Sequence, residues 1–436
     1  MKAKLIYIWE LGTSSFWLLP LAISFSLGLV AVGLVTLDTQ VDIDATGIWQ
    51  FILPKGEDAA RSVLSTVATA ILGVAGTVFS ITLVVLTLAA SQFGSRLVQN
   101  FMDDRLNQLV LGLYTGTFIY CIIVLQTVRS DGEMNFIPKI SIGFLLFLAI
   151  LGIILLVYFI HHVSVNIQAE HVIAETSKRL DRSLKNLYPE KLGEDIHEGN
   201  WENNLRPFIE SHPLKTSIGT TSTGYLQAIA FKELMGICTD NDLVVELVLK
   251  PGDFAVKDQH CMKVASYHSI SDKVKEKLIK TLAFGPVRTS TQDAEFAFHQ
   301  MVEIASRALS PGINDPFTAI TCLDNLTAPL SRLAKLNFPS PFRSDKQGRL
   351  RVVTKPESFK GFLDASFNQI RQFGKGVPSV LIRLMENLCT LYEFADDSEK
   401  RAEIKRHAEM VWRTGNEFFT EKNDIEDLKV KFDYFE

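Results

Sequence analysis

The chain has 436 residues, long enough for more than one domain, and 47% of them are hydrophobic. Its 44 Lys and Arg against 49 Asp and Glu leave a net charge of −5, which excludes a global basic field that would recruit nucleic acid. Five scattered cysteines without a CxxC pair point to reduced, mostly buried thiols.

Four apolar stretches fill the first 161 residues, at 16–37, 63–90, 109–128 and 140–160, and nothing comparable follows. Each exceeds the roughly 18 apolar residues that cross a hydrocarbon core about 30 Å thick. The first is too long for the apolar region of a signal peptide, and no small-residue cleavage site follows, so an uncleaved span is expected. None of the four contains Asp, Glu, Lys or Arg, which argues against a proton-coupled pump and leaves passive conduction or plain anchoring.

The second stretch is the informative one. Ser62, Ser65, Thr69, Gly73, Gly76, Thr77, Ser80 and Thr87 recur mostly three or four residues apart and share one helical stripe. Such a stripe lets helices approach closely in lipid, or it faces water in an oligomeric conduit. At about 1.5 Å per residue this stretch is longer than the hydrocarbon core, so it tilts or protrudes.

Lys2 and Lys4, Arg96 and Arg105, and Lys178, Arg179, Arg182 and Lys185 fall on one side of the spans. The other side carries Lys55, Arg61, Arg129 and Lys139 beside Asp38, Asp42, Asp44, Glu57 and Asp58. The positive-inside rule then places both termini in the cytoplasm. His161 and His162, at the exit of the fourth span, read as solvated interfacial side chains. Between the second and third spans an interfacial elbow is expected, with Leu97, Phe101 and Met102 on one face and Arg96, Asp104 and Arg105 at the headgroups.

Here the chain resembles a known family. Gly94-Ser95-Arg96-Leu97, Asn100-Phe101-Met102, Asp104-Arg105, Gln108, Leu111-Gly112, Thr117-Phe118 and Tyr120 look like the predicted bacterial membrane proteins called domain of unknown function 2254. Lys250-Pro251-Gly252-Asp253-Phe254 and the string from Arg307 to Pro316 match its other recurrent motifs. The family commonly has Ser-Pro-Arg where Gly94-Ser95-Arg96 stands, so the turn there is expected to differ. The resemblance implies a four-span inner-membrane protein with a cytoplasmic C-terminal domain, and it implies no activity.

Residues 157–187 contain no Pro or Gly, and Ile173, Leu180, Leu184 and Leu187 recur at roughly heptad spacing, so the fourth span is expected to continue unbroken as a stalk helix that Pro189 ends, with stalk helix and connector together filling 162–215. The stalk packs on itself across an oligomer or on the domain below. A small β-rich module is expected over 216–270, with strands at 224–229, 243–249 and 261–266 and a helix at 231–238. No lysine stands at an exposed tip as a carrier module would need. His260, Cys261 and His268 lack a fourth partner, so core or surface roles outweigh a metal site.

From 271 to 436 the pattern is mainly helical, with helices at 293–309, 358–374, 377–395 and 399–420 and a short strand at 349–353. Pro311 and Gly312 stop the helix at 293–309, Asp315 N-caps a next helix whose apolar stripe is Ile320, Leu323, Leu326, Leu330 and Leu333, and Pro316 takes its favoured first position. The functional alternative is that Arg307, Ser310, Asn314 and Asp315 bind a ligand, a cation or a subunit. No nucleophile elbow surrounds Ser310, and His299 lies three turns away, so no enzyme is expected. Phosphate-binding glycine loops and cofactor motifs are missing, and no cofactor is expected.

The fold expected is therefore a four-helix transmembrane bundle followed by a cytoplasmic α+β domain. The function expected is that of a homo-oligomer in the lipid bilayer, channel-like or pore-associated, with the soluble part regulating. The alternative is a membrane-anchored sensor or scaffold whose soluble part binds a ligand or protein.

Overall fold

The structure, a computed structural model, describes residues 17–41, 53–54, 56–94, 101–102, 104–131, 134–187, 214–289, 291–355 and 357–436. The chain divides into two compact units, residues 1–171 and 172–436.

The first unit holds helices α1 (Leu18–Asp38), α2 (Glu57–Gln92), α3 (Arg105–Thr127) and α4 (Lys139–Asn166). All four are long and apolar enough to cross a membrane. A hairpin of β1 (Arg129–Asp131) and β2 (Met134–Phe136) joins α3 to α4. At 36 residues α2 runs about 54 Å, well beyond a hydrocarbon core.

The tightest crossing is α1 on α3, and two glycines of α3 make it possible. A Cβ added at Gly112 would stand 2.9 Å from the Pro20 Cα, and one at Gly116 would stand 3.1 Å from the Ser24 Cα. At this distance Ser24 Oγ and Thr115 Oγ1 share a hydrogen bond of 2.7 Å. Tyr114 and Tyr120 then fasten α3 to α4, donating to the carbonyls of Gly152 (2.7 Å) and Ser141 (2.8 Å). Within the first unit the close approach is made by these glycines of α3, which the sequence reading did not single out for packing.

The start of α4 is capped from another helix. The Asp38 carboxylate, at the end of α1, accepts from the backbone N–H of Ile140 (2.8 Å) and Ser141 (3.0 Å) and from the Ser141 hydroxyl (2.6 Å). Helix starts leave N–H groups without intrahelical partners and carry partial positive charge, so a carboxylate there serves both needs. Asp38→Ala is expected to cost about 1–2 kcal/mol, with Asp38→Asn falling between it and the parent. Denaturant titration of the purified chain in detergent measures it, and coincident curves for Asp38→Ala and the parent would remove the capping role.

Contrary to the expectation from the sequence, the fourth span does not run on unbroken. It ends at Asn166, and α5 (Ala169–Leu187) begins after a turn at Ile167 and Gln168. No Pro or Gly is needed: the Asn166 amide is drawn to Asp104 (3.2 Å) and His162 (2.7 Å), and asparagine is a poor helix former. The heptad residues Ile173, Leu180 and Leu184 are buried within a single chain, and Asp181 of α5 pairs with Arg332, so α5 packs on the domain.

The second unit contains, after α5, β3 (Leu214–Gly219), β4 (Gly224–Ile229), α6 (Phe231–Asp240), β5 (Val244–Leu247), β6 (Phe254–Ala255), β7 (His260–Ser266), α7 (Asp272–Ile279) and β8 (Leu282–Gly285). There follow α8 (Ala294–Ala308), α9 (Pro316–Lys335), β9 (Phe342–Ser344), β10 (Leu350–Val353), α10 (Phe359–Phe373), α11 (Pro378–Phe394), α12 (Ser398–Phe418) and α13 (Lys422–Phe432).

One sheet has the order β3-β7-β5-β10-β9 and the other β6-β4-β8. Among the described residues, only β5 with β10 is parallel. The strands within 216–270 thus do not close on themselves, because β10 arrives from beyond α9 and β8 completes the second sheet. Ile218, Val245, Met262, Val264 and Val352 of the larger sheet meet Leu234 and Cys238 of α6 in one core.

Helices α8 to α13 form the rest of this unit. Arg383 of α11 holds Asp324 of α9 through two hydrogen bonds, 2.7 and 2.9 Å. The buried Lys400 of α12 donates to the carbonyls of Ala334 (3.0 Å) and Leu336 (2.9 Å), closing the C-terminal end of α9.

Candidate functional site

Helix α2 has two unlike faces. Ala60, Leu64, Ala68, Ile71, Ala75 and Val78 are buried against the other helices of the first unit. Ser65, Thr69, Gly73, Gly76, Thr77 and Ser80 are all exposed, and at about 100° per residue they centre roughly 180° from the buried row. A Cβ at Gly73 or Gly76 would meet nothing within 4 Å. Thr69 and Thr77 donate to the carbonyls of Ser65 (2.9 Å) and Gly73 (3.1 Å), which leaves their oxygens as acceptors on the outer face. The outer side of α2 also bears Leu72, Phe79, Leu83 and Val84, while large apolar residues such as Leu21, Phe25 and Leu29 of α1 and Phe147, Ile150 and Ile153 of α4 stand on the outer sides of those helices.

At the opposite end of α2 from Glu57, Gly94 takes φ +107°, a conformation that glycine adopts without a side-chain penalty. Arg96 lies outside the described residues, as does Leu97. Asp104 N-caps α3, accepting from the Leu106 N–H at 2.9 Å, and its second oxygen lies 2.6 Å from His162 Nε2. His162 is therefore not simply solvated: it is held between Asp104, Asn166 and a stacked Tyr158. Arg105 is exposed.

The turn from Arg307 to Pro316 uses its polar groups on its own backbone. Ser310 Oγ donates to the Arg307 carbonyl at 2.6 Å, and Arg307 reaches Glu303 at 3.6 Å. Asn314 sits at φ +50°, where asparagine is tolerated, and the Asp315 N–H returns to the Ala308 carbonyl at 2.7 Å. The Asp315 carboxylate accepts from the Thr318 N–H (3.1 Å) and hydroxyl (2.6 Å), with Pro316 at the first helical position. Pro311 and Gly312 are exposed at the tip. The geometry is that of helix–turn–helix punctuation.

A cavity of about 300 Å³ in the second unit escaped sequence reasoning. Leu249 and Phe338 are among its apolar walls, and Lys250, Arg343, Lys355 and Glu357 among its charged ones. Lys250 Nζ donates to Glu295 of α8 at 2.6 Å, and Lys355 Nζ to Asp253 at 3.0 Å. Gln292, also lining it, is pinned to the Ile229 backbone by two hydrogen bonds, 2.9 and 3.2 Å. Burial pushes the Glu357 carboxyl up to about 7. The one local signal was the string Lys250–Phe254, which reads as a turn; the other walls come from segments scattered between Leu187 and Glu357.

His260 is exposed, whereas the Cys261 thiol is buried, donates to the Ile218 carbonyl at 3.4 Å and is pushed up to about 11 by that burial. Among the described residues, no group of three or more His, Cys, Asp or Glu is placed to hold a metal ion.

Residues 13–390 match the family described as predicted membrane protein (DUF2254). The chain is 31% identical over 371 residues to the uncharacterized proteins Mb1321c of Mycobacterium bovis and Rv1290c of Mycobacterium tuberculosis, covering 84% of this chain and 70% of each of theirs. No solved structure matches.

Proposed function

The chain belongs to the DUF2254 family of predicted membrane proteins, and from that premise we propose that it works as a homo-oligomer whose α2 helices line or brace a conduit across a bacterial inner membrane. In this reading both termini and the second unit are cytoplasmic, consistent with the Lys and Arg bias, and the second unit regulates.

The observation that carries it is the outward face of α2. Lipid tails gain nothing from Ser, Thr and Gly over Leu, whereas a neighbouring helix packs closely on them and water hydrogen-bonds to them. The bulky outer faces of α1 and α4 are what lipid contact looks like in the same unit.

Cysteines placed singly at Thr69, Gly73, Thr77 and Ser80 in the reconstituted protein test it. Each is expected to react with a membrane-impermeant thiol reagent and to lower the conductance of a planar bilayer, while Ile150→Cys and Ile153→Cys stay silent. A bilayer without conductance, together with stripe positions as unreactive as Ile153→Cys, would refute the conduit.

A second reading, a membrane-anchored sensor whose soluble unit binds a ligand, is favoured by the cavity of that unit. Neither reading assigns catalysis.

A further inference from the structure

We propose that the cavity beside Lys250 and Lys355 is a binding site for a small soluble organic anion with a compact apolar body. The inference rests on the sensor reading of the second unit and is independent of the conduit reading of α2.

At about 300 Å³ the cavity lies at the lower end of the range that holds small molecules, which sets the size of the occupant. Its walls divide chemically. Ile229, Leu247, Leu249 and Phe338 offer an apolar bed, and Lys250, Arg343 and Lys355 supply three cations. An inorganic ion leaves the bed unused, and a neutral hydrocarbon leaves the cations unused; a molecule with both parts uses each.

Donor capacity points the same way. An ammonium carries three N–H donors. Among the described residues the Lys250 side chain donates to Glu295 alone and the Lys355 side chain to Asp253 alone, so each retains donors for a guest. The Lys250 side chain is 17% exposed and anchored on α8, which fixes its head before any ligand arrives. Charge-assisted bonds formed in such a partly dry place are stronger than those on an open surface. Glu357, the lining carboxylate, is kept from full ionisation at neutral pH by its burial and so opposes an anion only in part.

Isothermal titration of the full chain in lipid nanodiscs with phenyl phosphate tests the site, with inorganic phosphate and phenol as partial probes. Phenyl phosphate is expected to bind once per chain, and each partial probe at least tenfold more weakly. Lys355 is half exposed, so Lys355→Glu is expected to keep the fold, checked by its unfolding midpoint, and to weaken phenyl phosphate at least tenfold. Lys429→Glu, a surface charge reversal on α13, is expected to leave binding unchanged.

Absence of binding by all three probes would overturn both the site and the sensor reading that rests on it. Binding of phenyl phosphate that neither Lys355→Glu nor Arg343→Gln weakens would overturn the site while leaving the sensor reading standing. Equal affinity for inorganic phosphate would overturn the apolar half of the assignment.

Discussion

Gly112→Leu is expected to cost about 3 kcal/mol or more and to leave much of the chain unable to assemble its membrane helices. The added side chain begins 2.9 Å from the Pro20 Cα, a backbone atom of α1 that no rotamer change can move aside. Overpacking of a filled interface costs about 1–3 kcal/mol when neighbours yield, and a backbone neighbour yields least. Forcing α1 away also breaks the Ser24–Thr115 hydrogen bond, which depends on the same close approach. Gly116→Leu is expected to act alike, since its Cβ meets the Ser24 Cα at 3.1 Å.

Gly73→Leu supplies the contrast. Its Cβ opens into empty space within one chain, so the folded helices should tolerate it. Detergent-to-denaturant titration of the three variants separates them: the two α3 variants should unfold far earlier than the parent, and Gly73→Leu should coincide with it. Coincidence of Gly112→Leu with the parent would mean that α1 and α3 do not meet as described. If α2 borders a conduit, Gly73→Leu should lose conductance while keeping its fold.

The same pair of helices shows what a sequence reveals and what it hides. Length and hydropathy make the four spans plain, because crossing hydrocarbon demands a long apolar run whatever the partners. Which face of a span meets protein is not plain, since Ser, Thr and Gly serve close packing and water contact alike. The spacing of Gly112 and Gly116 by four residues is the standing signal of close helix approach, and the more numerous stripe of α2 obscured it.

In the second unit, Asp315, Pro316 and the helices around them were legible because capping and 3.6-residue periodicity are local. The sheets were not, because the pairing of Val245 with Val352 joins residues more than 100 apart, and no local pattern encodes it. The cavity follows from that assembly and was hidden with it. The end of α4 was missed because Asn166 terminates it through a side-chain contact with Asp104, a residue 62 positions away.

A second large effect is expected on the acid side of neutrality, at His407. This side chain of α12 is 1% exposed, with Nε2 3.0 Å from the Asp364 carboxylate of α10, to which Arg406 also donates at 2.7 Å. Burial, then the neighbouring Arg406 charge, push the imidazole down to about 4, and Asp364 only partly offsets them. In the unfolded chain a histidine titrates near 6.5. Between those values the unfolded state binds a proton that the folded state refuses, so stability is complete above about 6.5 and falls as the pH drops towards 4. Some 2.5 units of difference correspond to about 3 kcal/mol.

Asp364 is itself held below the usual carboxylate range: burial would raise it, but its bonds to Arg406 and the charge of that residue outweigh this. Its contribution is present above the unfolded carboxylate pKa and is lost only at lower pH, as the solution falls through its folded value, so the two limbs are separable. His407→Gln keeps a polar group beside Asp364 and removes the proton uptake. Its unfolding midpoint should start below that of the parent at pH 7 because a packed ring is lost, yet decline more gently between pH 6.5 and 4. Parallel declines for the two proteins would show that His407 already carries its proton in the folded state, and that the Asp364–Arg406–His407 cluster is an ion network rather than a neutral histidine beside an ion pair.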